Sequence, residues 1–415
     1  MRRRDLRLFY LFRMLAATYL WMPIFTFFMQ ERGLDFGDRM LLGGLFSLVV
    51  LLVDIPTGAL ADRLGRKFSL QLGALTMAVS SLFAYFFSHD LPTFMVSETL
   101  AALALSLCSG ADSAYLFDLL CSQGAAHEYG QRESIASAWQ QAGNAIAYAA
   151  GGVLAYYQSL ALPYLVTAAV ALAAFAVASM LHENRPMTPS MRIQVMPAAA
   201  VRGWARLMRR ALSELVHNSR LAWLIAYSAV IYTLLRASQY LYQPYLKSRG
   251  FNYAHIGLIH AGIYLAAALF AHQAYRLRRW FGEEPLLWGL LGGLAVSFIA
   301  MVPVHGPVIL VLLGIYAAAN GLCAPLVKPL LNREISDSSR RATILSVENI
   351  ARRGLTGLFI PISGLSSESI ALYLAGALGL SGLLLLAFYR PHFTGEAAVR
   401  SSRAARVAAP PLEHQ

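Results

Sequence analysis

The chain has 415 residues, of which 57% are apolar and 13% charged, whereas roughly one-quarter of a soluble domain is charged. That balance excludes a water-soluble globule and makes lipid the natural solvent. The formal net charge of +12 does not mark a nucleic-acid binder, because the basic residues are spread over short connections and not gathered on one domain face.

Apolar runs of about 18 to 25 residues, each long enough to cross a hydrocarbon core of about 30 Å, predict about twelve spanning helices. The first, 6–28, follows the basic start MRRRDLRLFYLFR and lacks a small-residue cleavage site, so it is expected to be retained. The next five cover 38–61, 67–87, 92–120, 134–156 and 162–181. A second set covers 220–246, 254–275, 286–303, 307–331, 342–364 and 368–389. Alternating segments of about ten residues, as in membrane barrels, are absent, which predicts an all-α membrane protein whose helices satisfy their own backbone. The expected organisation is a six-helix bundle over 1–181, a linker over 182–219, a second bundle over 220–390 and a tail over 391–415.

The connections carry the topology. Most Lys and Arg lie in alternate connections beginning with the N-terminus, while the opposite ones hold Arg32, Arg39, Lys247 and Arg249. The positive-inside rule then puts both termini in the cytoplasm. Within the linker, VRGWARLMRRALSELV sets Val201, Trp204, Leu207, Met208, Ala211, Leu212 and Leu215 against Arg202, Arg206, Arg209 and Arg210. That pattern suits a helix lying on the anionic leaflet, or a solvated linker helix. Cys108, Cys121 and Cys323 lie within spans and show no metal-ligand or redox spacing, so they read as packing residues and no metal is expected. FDLLCSQGAAHEYGQRESIASAW and LLNREISDSSRRATILSVEN occupy corresponding positions in the two sets of spans, as in a parallel repeat.

Between the second and third spans stands GALADRLGRK, Gly58 to Lys67. Gly58 leaves room for a neighbouring helix. Asp62, at a helix end, can accept from free N–H groups at the start of a facing helix. Gly65 permits a tight turn, and Arg66 can bridge Asp62 and an acid on the fourth span, for which Asp118 has the right depth. With the twelve spans, the cytoplasmic termini and the long central connection, this motif resembles the major facilitator superfamily over essentially the whole chain. The corresponding loop of the second set, YRLRRWFGEEP, keeps the basic charge but lacks the Asp and the glycines. The resemblance implies two six-helix bundles related by a pseudo-two-fold axis. It also implies a gating role for Gly58, Asp62, Arg63, Gly65, Arg66, Lys67 and Asp118, which fasten the halves on the cytoplasmic side and release them on inward opening. The alternative is that Arg63, Arg66 and Lys67 only fix topology.

Ionisable groups inside spans are functional candidates by default, because each costs several kcal/mol unless paired or hydrated. Arg13 in the first span and Asp112 in the fourth lie at matching depth, and the resemblance places both spans on the central cavity. Asp112 is the preferred proton site; a static Arg13–Asp112 pair holding two helices together is the competing account. Asp54 shares a helical stripe with Gly58 and Asp62, and Arg352 and Arg353 lie at similar depth in the eleventh span, so a pair between the halves is expected. Glu98 reads as an outer-gate acid and His260 as a hydrogen-bonded packing residue. Arg236, Tyr232, Tyr240, Tyr242, Gln243, Tyr316, Asn320 and Lys328 fall on spans seven and ten and suit an organic solute bearing a carboxylate or another anionic group.

The resulting expectation is a proton-coupled carrier of a small organic solute in a bacterial inner (plasma) membrane, acting as a monomer in lipid, with the proton gradient as energy source and no cofactor. The resemblance of Glu31 through the Gly58 motif, with SGADSAYLFD, to bacterial exporters of drugs, metabolites or siderophores favours efflux by antiport. An importer of a nutrient or iron chelate is the alternative, and a sensor or membrane enzyme without flux is the rival from another class. Neither a catalytic grouping at a span end nor a GxxxxGK(S/T) phosphate loop is present in the sequence.

Overall fold

The computed structural model describes residues 2–182, 218–334 and 341–389; the helix expected at 201–216 and the tail 391–415 lie outside them. Every regular element among the described residues is helical: α1 (Arg2–Ala16), α2 (Phe25–Glu31), α3 (Phe36–Leu64), α4 (Arg66–Phe87), α5 (Leu91–Cys108), α6 (Ala111–Cys121), a 3₁₀ turn (Ala126–Glu128), α7 (Tyr129–Tyr157), α8 (Leu162–Met180), α9 (Ser219–Ser248), α10 (Tyr253–Phe281), α11 (Glu283–Met301), α12 (Val308–Glu334), α13 (Arg341–Gly364) and α14 (Glu368–Phe388). We call the side carrying the N-terminus and the Gly58–Lys67 motif the basic face, and the opposite side the far face.

Two predicted spans are broken. The first divides into α1 and α2 around a run of turns in which Pro23 lacks an N–H and disfavours helix at Met22. The freed amide of Leu20 donates to Thr167 Oγ1 at 3.0 Å, so the break stays satisfied inside the bundle. The fourth span divides into α5 and α6 at Ser109 and Gly110, where Gly110 takes φ +76°, a conformation other residues rarely adopt. Among the described residues nine segments are long and apolar enough to cross a membrane on those criteria alone. The other three predicted spans fall short for visible reasons: the first is broken, α7 carries Glu133, Gln140, Gln141 and Asn144, and α13 carries Glu348, Arg352 and Arg353.

The halves repeat one packing scheme. In the first, α4 packs on α8, α3 on α5, α1 on α7 and α4 on α5; in the second, α11 packs on α14, α10 on α12, α9 on α13 and α11 on α12. These are the same pairs displaced by six spans, as two bundles related by a pseudo-two-fold axis require. Between the halves, α7 packs on α10 and α3 on α13. The approach is close: a Cβ on Gly152 would stand 2.6 Å from Gly257 Cα, so a methyl group on either residue would force the helices apart.

The far face is closed. Gln243 Oε1 accepts from Thr26 Oγ1 at 2.7 Å, Gln243 Nε2 donates to the Met22 carbonyl at 2.8 Å, and Arg39 Nη2 reaches Glu368 Oε1 at 3.4 Å. Nearer the middle, Asn349 Nδ2 donates to Asp54 Oδ2 at 3.0 Å. One turn further towards the basic face the stripe of α3 lies open, where a Cβ at Gly58 would meet nothing within 4 Å. The expected close approach of a helix to Gly58 is therefore not made in this conformation.

Candidate functional site

A cavity of about 400 Å³ lies between the halves, where the break in the fourth span meets α1, α7, α9 and α10. This lies within the usual range for small-molecule sites, about 300–1,000 Å³. Ser109 and Gly110 form part of its wall, so the glycine that ends α5 also brings the start of α6, with Asp112 in its first turn, to the cavity.

On the first-half side, Arg13 Nη1 pairs with Asp112 Oδ2, and Arg13 Nη2 stands 3.6 Å from Glu133 Oε1. Ser113 Oγ donates to the same Glu133 oxygen at 3.1 Å, and Ser113 N donates to Asp112 Oδ1 at 2.6 Å. One guanidinium thus serves two carboxylates, leaving Glu133 Oε2 and Arg13 Nε without partners. Arg13 is only 9% exposed, which makes this charge cluster an intramembrane one.

The second-half wall is built from Arg236, Gln239 and Tyr264. Arg236 Nη1 donates to Gln239 Oε1 at 2.5 Å, and Gln239 Nε2 donates to the Tyr264 hydroxyl at 3.3 Å. The guanidinium lies over the Phe46 ring at 5.5 Å, and its Nε has no partner. No carboxylate among the described residues lies within ion-pair distance of it. Tyr148 meets Tyr264 edge-on at 4.7 Å, and Trp21 and Tyr19 supply aromatic surface from the first half.

Several expected cavity residues lie elsewhere. Tyr240 is buried edge-on against Phe25 at 5.0 Å, and Gln243 belongs to the far-face clasp. Tyr316 and Tyr242 pack on each other at 5.2 Å. Tyr232 is covered by Arg352 at 4.1 Å and Arg353 at 5.4 Å. Asn320 is half-buried and Lys328 exposed, both outside the cavity lining. A two-fold bundle buries most of a helix's surface against its own half, so only a narrow stripe of spans seven and ten can reach the centre.

The expected pair of Asp54 with Arg352 or Arg353 is replaced by the Asn349 contact, and Arg352 Nη1 instead bonds Glu348 Oε1 at 3.1 Å within α13. Glu98 is 8% exposed and has no hydrogen-bond or ion-pair partner among the described residues. His260 Nδ1 pairs with the Ile256 carbonyl at 2.9 Å in the packed α7–α10 seam.

At the basic face Arg66 Nε lies 2.9 Å from Asp118 Oδ2 and Arg66 Nη2 lies 3.2 Å from Asp62 Oδ1. Gly65, at φ +102°, makes the turn between α3 and α4. Among the described residues Asp62 is met by Arg66, and no amide at the start of a facing helix reaches it. Arg63 and Lys67 sit beside this cluster, Arg63 on the last turn of α3 and Lys67 on the first of α4.

Glu133, Gln140 and Asn144 are not among the site residues expected from the sequence. They recur at intervals of seven and four along α7, which sets them on one helical stripe, and that spacing is the available signal. Gln239 and Tyr264 carry no comparable pattern.

The family model of the Major Facilitator Superfamily matches residues 8–361. The quinolone resistance protein NorA of Staphylococcus aureus (strain Mu50 / ATCC 700699) is 24% identical over 300 residues, 69% of this chain and 70% of that protein. Among solved structures, a point mutant of the nucleoside transporter NupG superposes with a TM-score of 0.78 at 10% identity, covering 94% of this chain and 100% of that one. The inward open conformation of the xylose transporter XylE from E. coli superposes with a TM-score of 0.71 at 13% identity, covering 95% and 98%.

Proposed function

Because the chain belongs to the Major Facilitator Superfamily and is on that ground a membrane transporter, we propose that it exports a small organic solute by alternating access in exchange for protons. The observation that carries this reading is the cavity shared by both halves, with an Arg13–Asp112 pair on one wall and Arg236 on the other. The NorA relative is named for quinolone resistance, which a transporter confers by moving the drug outward, and the excess of carboxylates around Arg13 suits proton exchange. Two acids beside one guanidinium leave one negative charge that a proton can neutralise. Solute entering the cavity competes with that proton, so loading from one side and protonation from the other alternate.

The basic face is the cytoplasmic one of a bacterial inner membrane, in keeping with the Lys and Arg distribution. The described conformation, closed at the far face, then opens inward. Outward opening releases Thr26 from Gln243 and brings Gly58 against α13, so that the Arg66 cluster gates the inner end. The bundles 1–181 and 220–390 act as the two rocking bodies of a monomer, joined by 182–219 and followed by the tail 391–415.

Everted membrane vesicles test the reading. An imposed proton gradient should drive solute into vesicles carrying the wild type, and Asp112→Asn should abolish accumulation while sparing counterflow. Accumulation by the Asn variant equal to wild type would remove the coupling role, and solute uptake in right-side-out cells that collapses with the gradient would reverse the direction.

A further inference from the structure

The two walls of the cavity carry opposite charge. On the first-half side Arg13 is outnumbered by Asp112, which lines the cavity, and Glu133, which stands behind Arg13 outside the lining, and Glu98 lies buried in the same half with no partner among the described residues. On the second-half wall the charge is Arg236, with a neutral amide on one nitrogen, an aromatic ring against its face and an empty Nε. A guanidinium and a carboxylate pair kept from water each require a counter-charge, and neither wall contains the one it lacks. Glu98 does not fill the gap, because it stands beyond ion-pair distance from Arg236 and outside the cavity lining.

A lone anion on Arg236 would face the acidic wall, and a lone cation at Asp112 would face Arg236. A solute carrying both charges meets each wall with its complement. Between the walls Trp21, Tyr148 and Tyr264 offer apolar surface for its body. We propose that the solute is an organic zwitterion, its anionic group held by Arg236 and its cationic group by Asp112, with Glu133 supplying the second acid that occupies Arg13. The assignment rests on the carrier reading above, in which this cavity is the transport site.

The test uses the full-length protein in detergent and three probes of one shape: 4-(aminomethyl)benzoate, its methyl ester, which is a cation, and its N-acetyl derivative, which is an anion. Calorimetric titration should rank the zwitterion at least tenfold tighter than either. Arg236→Gln should lower zwitterion affinity to that of the ester, while Arg236→Lys retains most of the preference. Either single-charge probe binding as tightly as the zwitterion, no binding of the zwitterion, or an undiminished preference in a folded Arg236→Gln protein would overturn the proposal. The ranking in wild type depends on no variant folding. Counterflow in proteoliposomes separates the two readings: flux without preference for the zwitterion removes the charge assignment alone, and preference without flux removes the carrier.

Discussion

Gln243 of α9 accepts the Thr26 hydroxyl at 2.7 Å while its own amide donates to the Met22 carbonyl at 2.8 Å, so one side chain of the second half holds the short helix α2 of the first. Gln243→Ala removes these bonds from a buried setting, a change of about 2 to 3 kcal/mol. The far-face-closed population should fall by more than tenfold. Spin-label distances across the far face should lengthen, and an unaltered distribution would contradict the clasp.

Gly152 and Gly257 set a second limit on closure. Gly257→Val puts a branched side chain where α7 backbone already stands, with Gly152 Cα 2.7 Å from the first added carbon. We expect normal membrane insertion, loss of the closed far face and transport below about one-tenth of wild type by the energetics of overpacked interfaces. Near-wild-type flux would show that the helices part without penalty.

Gly58 behaves in the opposite way. Space around it is open, so Gly58→Leu should leave the melting temperature of the described conformation unchanged within error. The outward-open conformation, which needs α13 against this stripe, should become inaccessible. Cysteine labelling from the far face would then fall, and labelling equal to wild type would separate Gly58 from gating.

Arg13 shields two carboxylates that are 17% and 25% exposed. Arg13→Gln leaves both uncompensated and should destabilise the protein by about 3 to 5 kcal/mol, read as a fall in the detergent melting temperature. The Arg13→Gln, Asp112→Asn double variant should recover part of that loss, with a coupling of about 1 kcal/mol or more. Additive losses would mean that the pair carries no mutual energy.

Arg66 is partly exposed, at 23%, between Asp62 and Asp118. Arg66→Gln should therefore change stability by less than about 1 kcal/mol. Under the gating role it should slow exchange several-fold, as should Asp62→Asn. A stability loss with unchanged exchange rate would turn the cluster into a scaffold.

Helix number, bundle symmetry and the meeting of Arg13 with Asp112 were legible because each follows from run length and depth, which hydropathy records directly. Side-chain azimuth is less legible. Tyr240 and Arg236 are neighbours in depth, yet one turns to Phe25 and the other to the cavity. Nothing in the residues between them fixes that rotation, since it depends on the crossing of α9 with α2 and α10. The breaks at Pro23 and Gly110 were marked by the residues themselves, but their apolar surroundings let hydropathy run through them. Asn349 took the place of Arg353 beside Asp54 because the two lie one turn apart on the same face of α13, and charge alone favoured the wrong one.

The Arg13–Asp112 pair also bears on biogenesis. A lone arginine within a first span resists partition into lipid by about 2.5 to 3.5 kcal/mol, and its compensating acid emerges from the ribosome only with the fourth. The nascent first helix should therefore stay accessible to water until α6 has been made, so α1 should accept a water-soluble label in membrane-bound chains truncated before Ala111 and be shielded from it in those ending beyond Cys121.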